Sequence, residues 1–275
     1  MVKKQLIEDL LFNDVSIGSD IEYFVKDIST DEIVSAEGLV QGTKHEPFKF
    51  KGPDSWFATS LDNVTYEGNI PPAKTEEEFL GYMHELRHYM DNYLPPTIRT
   101  LAQGSAFLAD KYLETENART FGCASSNNVW TEKIEHVKLK KGCKARGAGF
   151  HLHFGYNQPD YDKNIMLIKA VDVFLGIPSV IIDQDPERRK VGYGKAGNHR
   201  HSPWGCEYRT LSSFMASTDE LIKWSYNQAL KAINFLNEGR IVEIAERGDE
   251  IQQIINEGDL KNAESFVNEF KLELI

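Results

Sequence analysis

Four segments of the chain alternate between apolar and polar residues, as half-buried β-strands do. The first runs from Val15 to Val25, with apolar residues such as Ile17 on one face and Asp20 and Glu22 on the other. The other three are Leu61 to Ile70, Gly149 to Tyr156 and Gly205 to Leu211. Buried parallel strands would be continuously apolar, so the alternation predicts an antiparallel sheet that keeps one polar face.

Helical spacing of apolar residues follows these strands. Residues 79–93 form one apolar stripe, and Thr75 with Glu78 makes a capping box in front of it. Residues 217–239 predict a second helix that ends at a glycine, and residues 240–275 predict a charged, amphipathic helical segment. These patterns together predict an α+β fold with helices on one face of the sheet.

The length and charge of the chain limit its possible roles. Its 275 residues carry a net charge of −11 and are 41% hydrophobic, which predicts a folded, acidic protein without broad nucleic-acid binding. We predict a catalytic domain over residues 1–215 and a helical segment over 216–275, packed on or appended to it. The apolar stretch 171–182 is shorter than the roughly 20 residues of a membrane span.

Other features indicate a cytoplasmic protein with no membrane partner. The first residues lack the apolar core of a signal peptide. The three cysteines, Cys123, Cys143 and Cys206, match no disulfide framework or paired-cysteine zinc site, so we expect reduced thiols.

Polar residues on the strand faces predict a metal site. Asp20 and Glu22 lie two positions apart on one face, where like charges repel unless a cation separates them. The other predicted strands add Glu67, the pair His151 and His153, and Glu207. Carboxylates dominate this set and thiolates are absent from it, which favours a hard cation such as Mg²⁺ or Mn²⁺.

Two familiar motifs occur in unfavourable contexts. His84-Glu85-Leu86-Arg87-His88 matches the HExxH pattern of zinc hydrolases, but its histidines lie opposite the apolar stripe of the helix. Gly192 to Gly197 matches GxGxxG without the strand and helix of a dinucleotide-binding fold. A zinc metallohydrolase therefore stays an alternative, whereas the glycine loop predicts at most a phosphate near Lys195.

Basic residues are concentrated between positions 188 and 209 of this acidic chain. They are Arg188, Arg189, Lys190, Lys195, Arg200 and Arg209. Guanidinium groups suit bidentate recognition of phosphate oxygens, which carboxylate-bound divalent cations also favour. The combination predicts phosphoryl transfer.

Five segments taken in order resemble a known family. They are Gly-Ser-Asp-Ile-Glu from Gly18, the stretch from Asp62 to Ala73, Gly-Ala-Gly-Phe-His-Leu-His-Phe-Gly from Gly147, Tyr-Gly-Lys-Ala-Gly-Asn-His-Arg from Tyr193, and Gly-Cys-Glu-Tyr-Arg-Thr-Leu-Ser from Gly205. This arrangement resembles the phage carboxylate-amine ligases of type 2, within the glutamine synthetase-like and glutamate-cysteine ligase-like amidoligases. The resemblance implies a curved, mainly antiparallel sheet like that of the glutamine synthetase catalytic domain.

The resemblance also implies roles for individual residues. The implied metal ligands are Asp20, Glu22, Glu67, Glu207 and His153, with His151 as the weaker choice. Arg200 and Arg209 would hold the phosphoryl group and take part in catalysis with Glu67. Arg188, Arg189 and Lys195 would help to bind the nucleotide, although the sequence does not decide between the two arginines.

The resulting prediction is an ATP-dependent ligase that joins a carboxylate to an amine through an acyl phosphate, with ATP and Mg²⁺ or Mn²⁺ as cofactors. The carboxylate, the amine and the number of subunits stay open. Two alternatives remain: a zinc metallohydrolase that uses His84 and His88, and a non-catalytic phage protein on the same fold. If the chain is phage-encoded, its location would be the cytoplasm of the infected host.

Overall fold

A computed structural model describes residues 11–120, 125–136, 142–185 and 187–275. In these ranges it has twelve strands: β1 (Ser16–Asp27), β2 (Glu32–Val34), β3 (Ala58–Asp62), β4 (Thr65–Ala73), β5 (Ile98–Leu101), β6 (Ser105–Phe107), β7 (Ser126–Asn128), β8 (Ile134–Glu135), β9 (Ala145–Gly147), β10 (Phe150–Gly155), β11 (Asn198–Ser202) and β12 (Gly205–Tyr208).

The helices of the same ranges are α1 (Glu76–Tyr93), α2 (Glu116–Arg119), α3 (Tyr161–Val171), α4 (Ile177–Ile182), α5 (Glu187–Lys190), α6 (Asp219–Asn237), α7 (Gly248–Glu257) and α8 (Leu260–Phe270). A π-helical turn (Asp172–Gly176) joins α3 to α4. Three 3₁₀ turns cover Asp110–Tyr112, Ser213–Ala216 and Arg240–Glu243.

One large sheet organises the described part of the chain. Its strands run in the order β3, β4, β1, β10, β12, β11, β7 and β8, and the later half of β1 also pairs with β2 and β5. The ladders between these strands are antiparallel. The predicted combination of helices with a mostly antiparallel sheet is confirmed.

Strand β1 lies near the centre of the sheet and separates its two faces. Ile17, Ile21 and Tyr23 are buried in the main hydrophobic core, which α1 and α6 also line. The alternate positions Asp20 and Glu22 face the other side, yet they are only 9% and 3% exposed. The polar face of the sheet is thus covered by other parts of the chain and forms the floor of a site.

Two predicted elements differ in the structure. Leu61 to Ile70 is not one strand, because Asn63 adopts a left-handed φ of 54° and reverses the chain between β3 and β4. Strand β4 extends beyond Ile70, through Pro71 and Pro72, to Ala73. The second helix is capped by Thr218, whose side chain accepts from Leu221 N, and Ser217 precedes that cap.

The helices of the C-terminal segment pack against the rest of the protein. Ile254 on α7 and Phe266 on α8 are buried in the core that also contains β1. Phe12 N, near the start of the described chain, donates to Asn237 Oδ1 at the end of α6 at 2.8 Å. The division of the chain at residue 215 stays a prediction, but residues on both sides of it share one core.

A single continuous helical segment, Tyr161–Ile182, is apolar and long enough to cross a membrane by length and composition alone. The expectation that the apolar stretch is too short is therefore wrong, because the π turn carries the helix through Asp172 without a break. Of its most apolar stretch, 67% is buried inside the protein. Among the described residues, this segment is the one that meets these criteria.

Candidate active site

Strand registers align the polar side chains in rows across the sheet. Glu22 on β1 lies opposite Glu67 on β4, and Asp20 lies opposite His151 on β10. His153 lies opposite Glu207 on β12, which in turn lies opposite Arg200 on β11. The alternation of each strand therefore converts spacings of two residues into one continuous polar surface.

The first carboxylate cluster contains Glu22, Asp62 and Glu67, and we call it the β4 cluster. One ligand oxygen from each residue lies within 4.8 Å of the others. Glu22 accepts hydrogen bonds from Gly149 N at 2.6 Å and from Tyr193 OH at 2.7 Å. Three carboxylates at this separation repel each other unless protons or a cation neutralise them.

The second cluster contains Asp20, His153 and Glu207, and we call it the β10 cluster. Its ligand atoms also lie within 4.8 Å of one another. His153 Nε2 is 3.5 Å from Asp20 Oδ1. Two carboxylates and one imidazole form a ligand set that suits a divalent cation.

His151 lies between the two clusters and is 1% exposed. Its Nδ1 is 2.8 Å from Asp20 Oδ1, and its Nε2 is 2.9 Å from Tyr193 OH. Because the Tyr193 hydroxyl donates its proton to Glu22, it accepts from His151 Nε2. His151 therefore links the clusters through a hydrogen bond with Tyr193 on one side and an ion-pair contact with Asp20 on the other, whereas His153 is the histidine of the β10 cluster.

The carboxylates of the two clusters differ in proton affinity. Burial and the charge of Glu22 raise the pKa of Asp62 to about 7, against the opposing effect of Lys44. Burial and the charges of Asp62 and Asp20 raise the pKa of Glu67 well above its usual value. The β4 cluster therefore retains protons near neutral pH when it holds no cation.

Asp20 and Glu22 show the opposite direction. Burial alone would raise the pKa of Asp20, but the charges of His151 and His153 outweigh burial and hold the pKa well below its usual value. For Glu22, the charges of His151 and Lys44 likewise outweigh burial and lower the pKa. Both groups are therefore ionised at neutral pH and provide anionic ligand atoms.

Unpaired buried atoms test whether these residues fit a metal ion. Asp62 Oδ1 is buried and makes no hydrogen bond, while Asp20 Oδ1 and His153 Nε2 are buried and have only ion-pair contacts, with each other and, for Asp20, with His151 Nδ1. Such atoms are costly unless a partner is supplied, and each is an oxygen or nitrogen of the kind that Mg²⁺ or Mn²⁺ accepts. The residues present fit hard divalent cations at both clusters.

Positive charge approaches the clusters from three sides. Arg209 follows β12, is 2% exposed and pairs through Nη1 with Glu207 Oε1. Arg200 Nη1 lies 3.6 Å from Glu207 Oε2, and 34% of the Arg200 side chain is exposed. Lys44 Nζ lies 2.6 Å from Asp62 Oδ2. Arg200 and Lys44 are thus the more accessible cations at the edge of the site.

The remaining predicted phosphate-binding residues lie in other settings. Arg188 is 3% exposed and donates to the carbonyls of Thr210 and Leu211 at 2.6 and 2.7 Å. Burial and the neighbouring charge of Arg188 lower the pKa of Arg189, whose Nε has no hydrogen-bond partner. Lys195 Nζ lies 3.9 Å from Glu135. Arg188 therefore holds the backbone that follows β12, and its guanidinium carbon lies 4.5 Å from the centroid of the Tyr193 ring.

The HExxH pair lies on an exposed face of α1, as its position on the helix predicts. His84 Nε2 is 2.7 Å from Asp219 Oδ1, and His88 Nε2 is 2.9 Å from the Asn92 side chain. Glu85 pairs with Lys51. Neither histidine belongs to the carboxylate and histidine clusters of the described residues, so nothing in the geometry favours the metallohydrolase.

The sequence interpretation missed Asp62, Lys44 and Tyr193. Asp62 and Asn63 together are a turn signal, and recognising the hairpin would have placed Asp62 beside Glu67. Lys44 and Tyr193 lie in irregular segments, where no periodicity indicates which way a side chain points.

The sequence predicts reduced cysteine thiols. Cys143 and Cys206 are free in the structure, and Cys123 lies outside the described residues.

Residues 123–231 match the family model described as "Phage phiEco32-like COOH.NH2 ligase-type 2". This match confirms the resemblance inferred from the motifs, and its range contains β10, β11 and β12. Asp20, Glu22 and Glu67 lie outside the matched range. None of the curated proteins matches the chain.

Among solved structures, the chain is similar to a bifunctional glutathione synthetase from Pasteurella multocida, with 12% sequence identity and a TM-score of 0.43. The alignment covers 99% of this chain and 49% of that protein. The chain thus spans about half the length of this relative.

Proposed function

We propose that the protein is an ATP-dependent carboxylate-amine ligase. The observation that carries the proposal is the pair of carboxylate clusters side by side on one sheet face, with Arg200 and Arg209 next to Glu207. The ligase family match over β10 to β12 supports it. A glutamine synthetase-like sheet is part of the same proposal.

The chemistry explains why cations and arginines are needed together. A carboxylate does not react directly with an amine near neutral pH, because hydroxide is a poor leaving group. When the carboxylate oxygen attacks the γ-phosphorus of ATP, ADP leaves and an acyl phosphate forms. The amine nitrogen then attacks the acyl carbon, phosphate leaves, the nitrogen gives up a proton and an amide bond results.

The residues of this chain would divide these tasks. Glu22, Asp62 and Glu67 would hold one cation, and Asp20, His153 and Glu207 another. Bound cations would neutralise the phosphate charge that builds up during transfer. Arg200 and Arg209 would contact phosphate oxygens, while Tyr193 and His151 fix the orientation of Glu22 and Asp20.

Binding of Mg·ATP tests the site directly. A ligand that binds only the folded state stabilises it by mass action, so Mg·ATP at about 100 times its dissociation constant should raise the melting temperature by roughly 5 °C or more. Glu67→Gln should abolish this shift, because a glutamine resembles the protonated carboxyl and cannot neutralise a cation. The variant itself should fold, since Glu67 already tends to be protonated without a cation.

Glu85→Gln is the matched control, because it makes the same change within the HExxH motif. This variant should keep the Mg·ATP shift, and it should keep product formation when ATP is incubated with mixtures of carboxylates and amines and the products are analysed by mass spectrometry. An unchanged shift in Glu67→Gln would remove the β4 cluster from the site. Loss of activity in Glu85→Gln alone would favour the zinc hydrolase.

A further inference from the structure

A pocket of about 290 Å³ opens on the same face of the sheet, next to the β10 cluster. Its walls include Trp56, Trp204, Pro72 and His153. His153 is thus shared between the pocket and the candidate metal site. Whatever fills the pocket lies in contact with a proposed metal ligand.

Glycines on two neighbouring strands create the space. On the polar face of β1, Glu22 and Asp20 are followed towards the pocket by Gly18, which has no side chain. On the same face of β10, His153 is followed by Gly155. A methyl group added at Gly18 would lie 3.7 Å from His153 Cβ, from Ile70 O and from Pro72 Cα. The same face of the sheet therefore carries the charged clusters at its centre and the open pocket at its end.

Two indole rings give the pocket its chemical character. Trp56 is 64% exposed and Trp204 is 38% exposed, which leaves large apolar surfaces in contact with solvent. The ring centroids of Trp204 and His153 are 5.6 Å apart, with 33° between the ring planes. Among the described residues no carboxylate, lysine or arginine lines the pocket. The two flat indole walls, with His153 as the polar group beside them, suit a planar ring.

We propose that this pocket binds a planar ring of the substrate whose carboxylate or amine reacts at the β10 cluster. This inference rests on the proposed ligase function and names a class of substrate for it: a small carboxylate or amine with an aromatic ring close to the reacting group. Adenine is the other planar ring available. In ATP, however, the ribose and the α-phosphate separate adenine from the terminal phosphates, so a base in contact with His153 would hold those phosphates away from the β10 cluster.

The test is a calorimetric titration of the full-length protein with indole and, separately, with adenosine. Indole should bind the wild type, and Trp204→Leu and Gly18→Ala should each raise its dissociation constant roughly tenfold by removing a stacking surface or filling the space. The control Gly81→Ala adds the same methyl group on an exposed position of α1, where it meets nothing within 4 Å. It should leave indole binding unchanged, and Mg·ATP should stabilise all of these variants like the wild type.

Three results would overturn the proposal: no binding of indole to the wild type, equal binding by the Trp204→Leu and Gly18→Ala variants, or competition by adenosine together with a reduced Mg·ATP shift in those variants. The last result would assign the pocket to the nucleotide base. Because the indole titration contains no nucleotide, failure of the ligase proposal is recognised separately, by a wild type that Mg·ATP does not stabilise.

Discussion

Arg209 combines deep burial with several polar contacts. Its guanidinium group pairs with Glu207, and its Nε donates to Ser126 Oγ at 3.2 Å. Its Nη1 lies 3.4 Å from His151 Nδ1. A solvent-exposed pair would contribute under about 1 kcal/mol, but this pair is 2% and 9% exposed and belongs to a larger network. The planar shape of the side chain, and not only its charge, is therefore used.

Arg209→Lys should keep the positive charge but lose the planar set of N–H donors that a guanidinium group provides. If Arg209 contacts the transferring phosphate, turnover at saturating ATP should fall roughly 100-fold, the effect of removing one preorganised donor. ATP binding should change far less, because the cations and the other basic residues remain. The same substitution at Arg240, which pairs with Glu243 on the surface, is the control and should leave turnover unchanged. Near-normal turnover in Arg209→Lys would reduce Arg209 to an ion-pair partner of Glu207.

Strand alternation predicted the site wherever the chemistry lies within one regular element. Asp20 and Glu22, like His151 and His153, are two positions apart, and a period of two fixes a shared face whatever the surrounding fold. The same reasoning failed at Asp62, since a turn at Asn63 moves it to another strand. It also gave no information on Lys44 or on Trp56. Those residues reach the site through irregular segments whose paths depend on tertiary packing.

Strand β4 shows how one element serves both the site and the core. Glu67 points into the β4 cluster, whereas the next residue, Gly68, faces α1. A methyl group at Gly68 would lie 2.8 Å from both terminal carbons of Leu86 and 3.0 Å from Met90 Sδ. The glycine therefore lets the helix pack closely on the sheet.

Gly68→Ala should lower the free energy of unfolding by about 1–3 kcal/mol, because it overfills a packed core. Gly81 lies on the exposed face of α1, the helix that packs on Gly68. Gly81→Ala should raise the free energy of unfolding by about 0.5–1 kcal/mol, since alanine favours the helical conformation more than glycine does. Urea unfolding of both variants measures the difference. A Gly68→Ala protein as stable as the wild type would show that Leu86 and Met90 rearrange without cost.

At the scale of the whole protein, the raised and lowered pKa values link folding stability to pH. Among the carboxyl and imidazole groups, those with a raised pKa bind protons more tightly in the folded state than in the unfolded state; they are Asp62, Glu67, Asp172, Asp183 and His153. For Asp172, burial outweighs the hydrogen bonds from Trp130 and Tyr208 and raises the pKa to about 7. Burial acts in the other direction on His199, lowering its pKa to about 4, and on His201, whose pKa it also lowers, so both histidines oppose the first set until their unfolded forms have lost their protons at about pH 7.5.

Between pH 6.5 and 8 the first set of groups dominates, because each of the two histidines opposes it by only about 0.4 kcal/mol. There the folded state carries more bound protons than the unfolded state, so the free energy of unfolding should fall as pH rises, by about 1–3 kcal/mol in total. The lowered pKa values of Asp20 and Glu22 act only in more acidic solution, where their stabilisation is lost as pH falls.

Mg²⁺ should reduce this pH dependence without abolishing it. A cation replaces the protons held by Asp62 and Glu67, whereas Asp172 lies in the π turn, in contact with Trp130 and Tyr208. Unfolding in urea at pH 6.5 and pH 8, with a chelator or with millimolar Mg²⁺, measures the two contributions. In chelator, the free energy of unfolding of Glu67→Gln should depend less on pH than that of the wild type, and it should change little when Mg²⁺ is added. Asp172→Asn should lose the pH dependence that the wild type retains in Mg²⁺. If the chelated wild type is equally stable at both pH values, or if Mg²⁺ leaves the slope unaltered, the β4 cluster does not exchange protons for a cation.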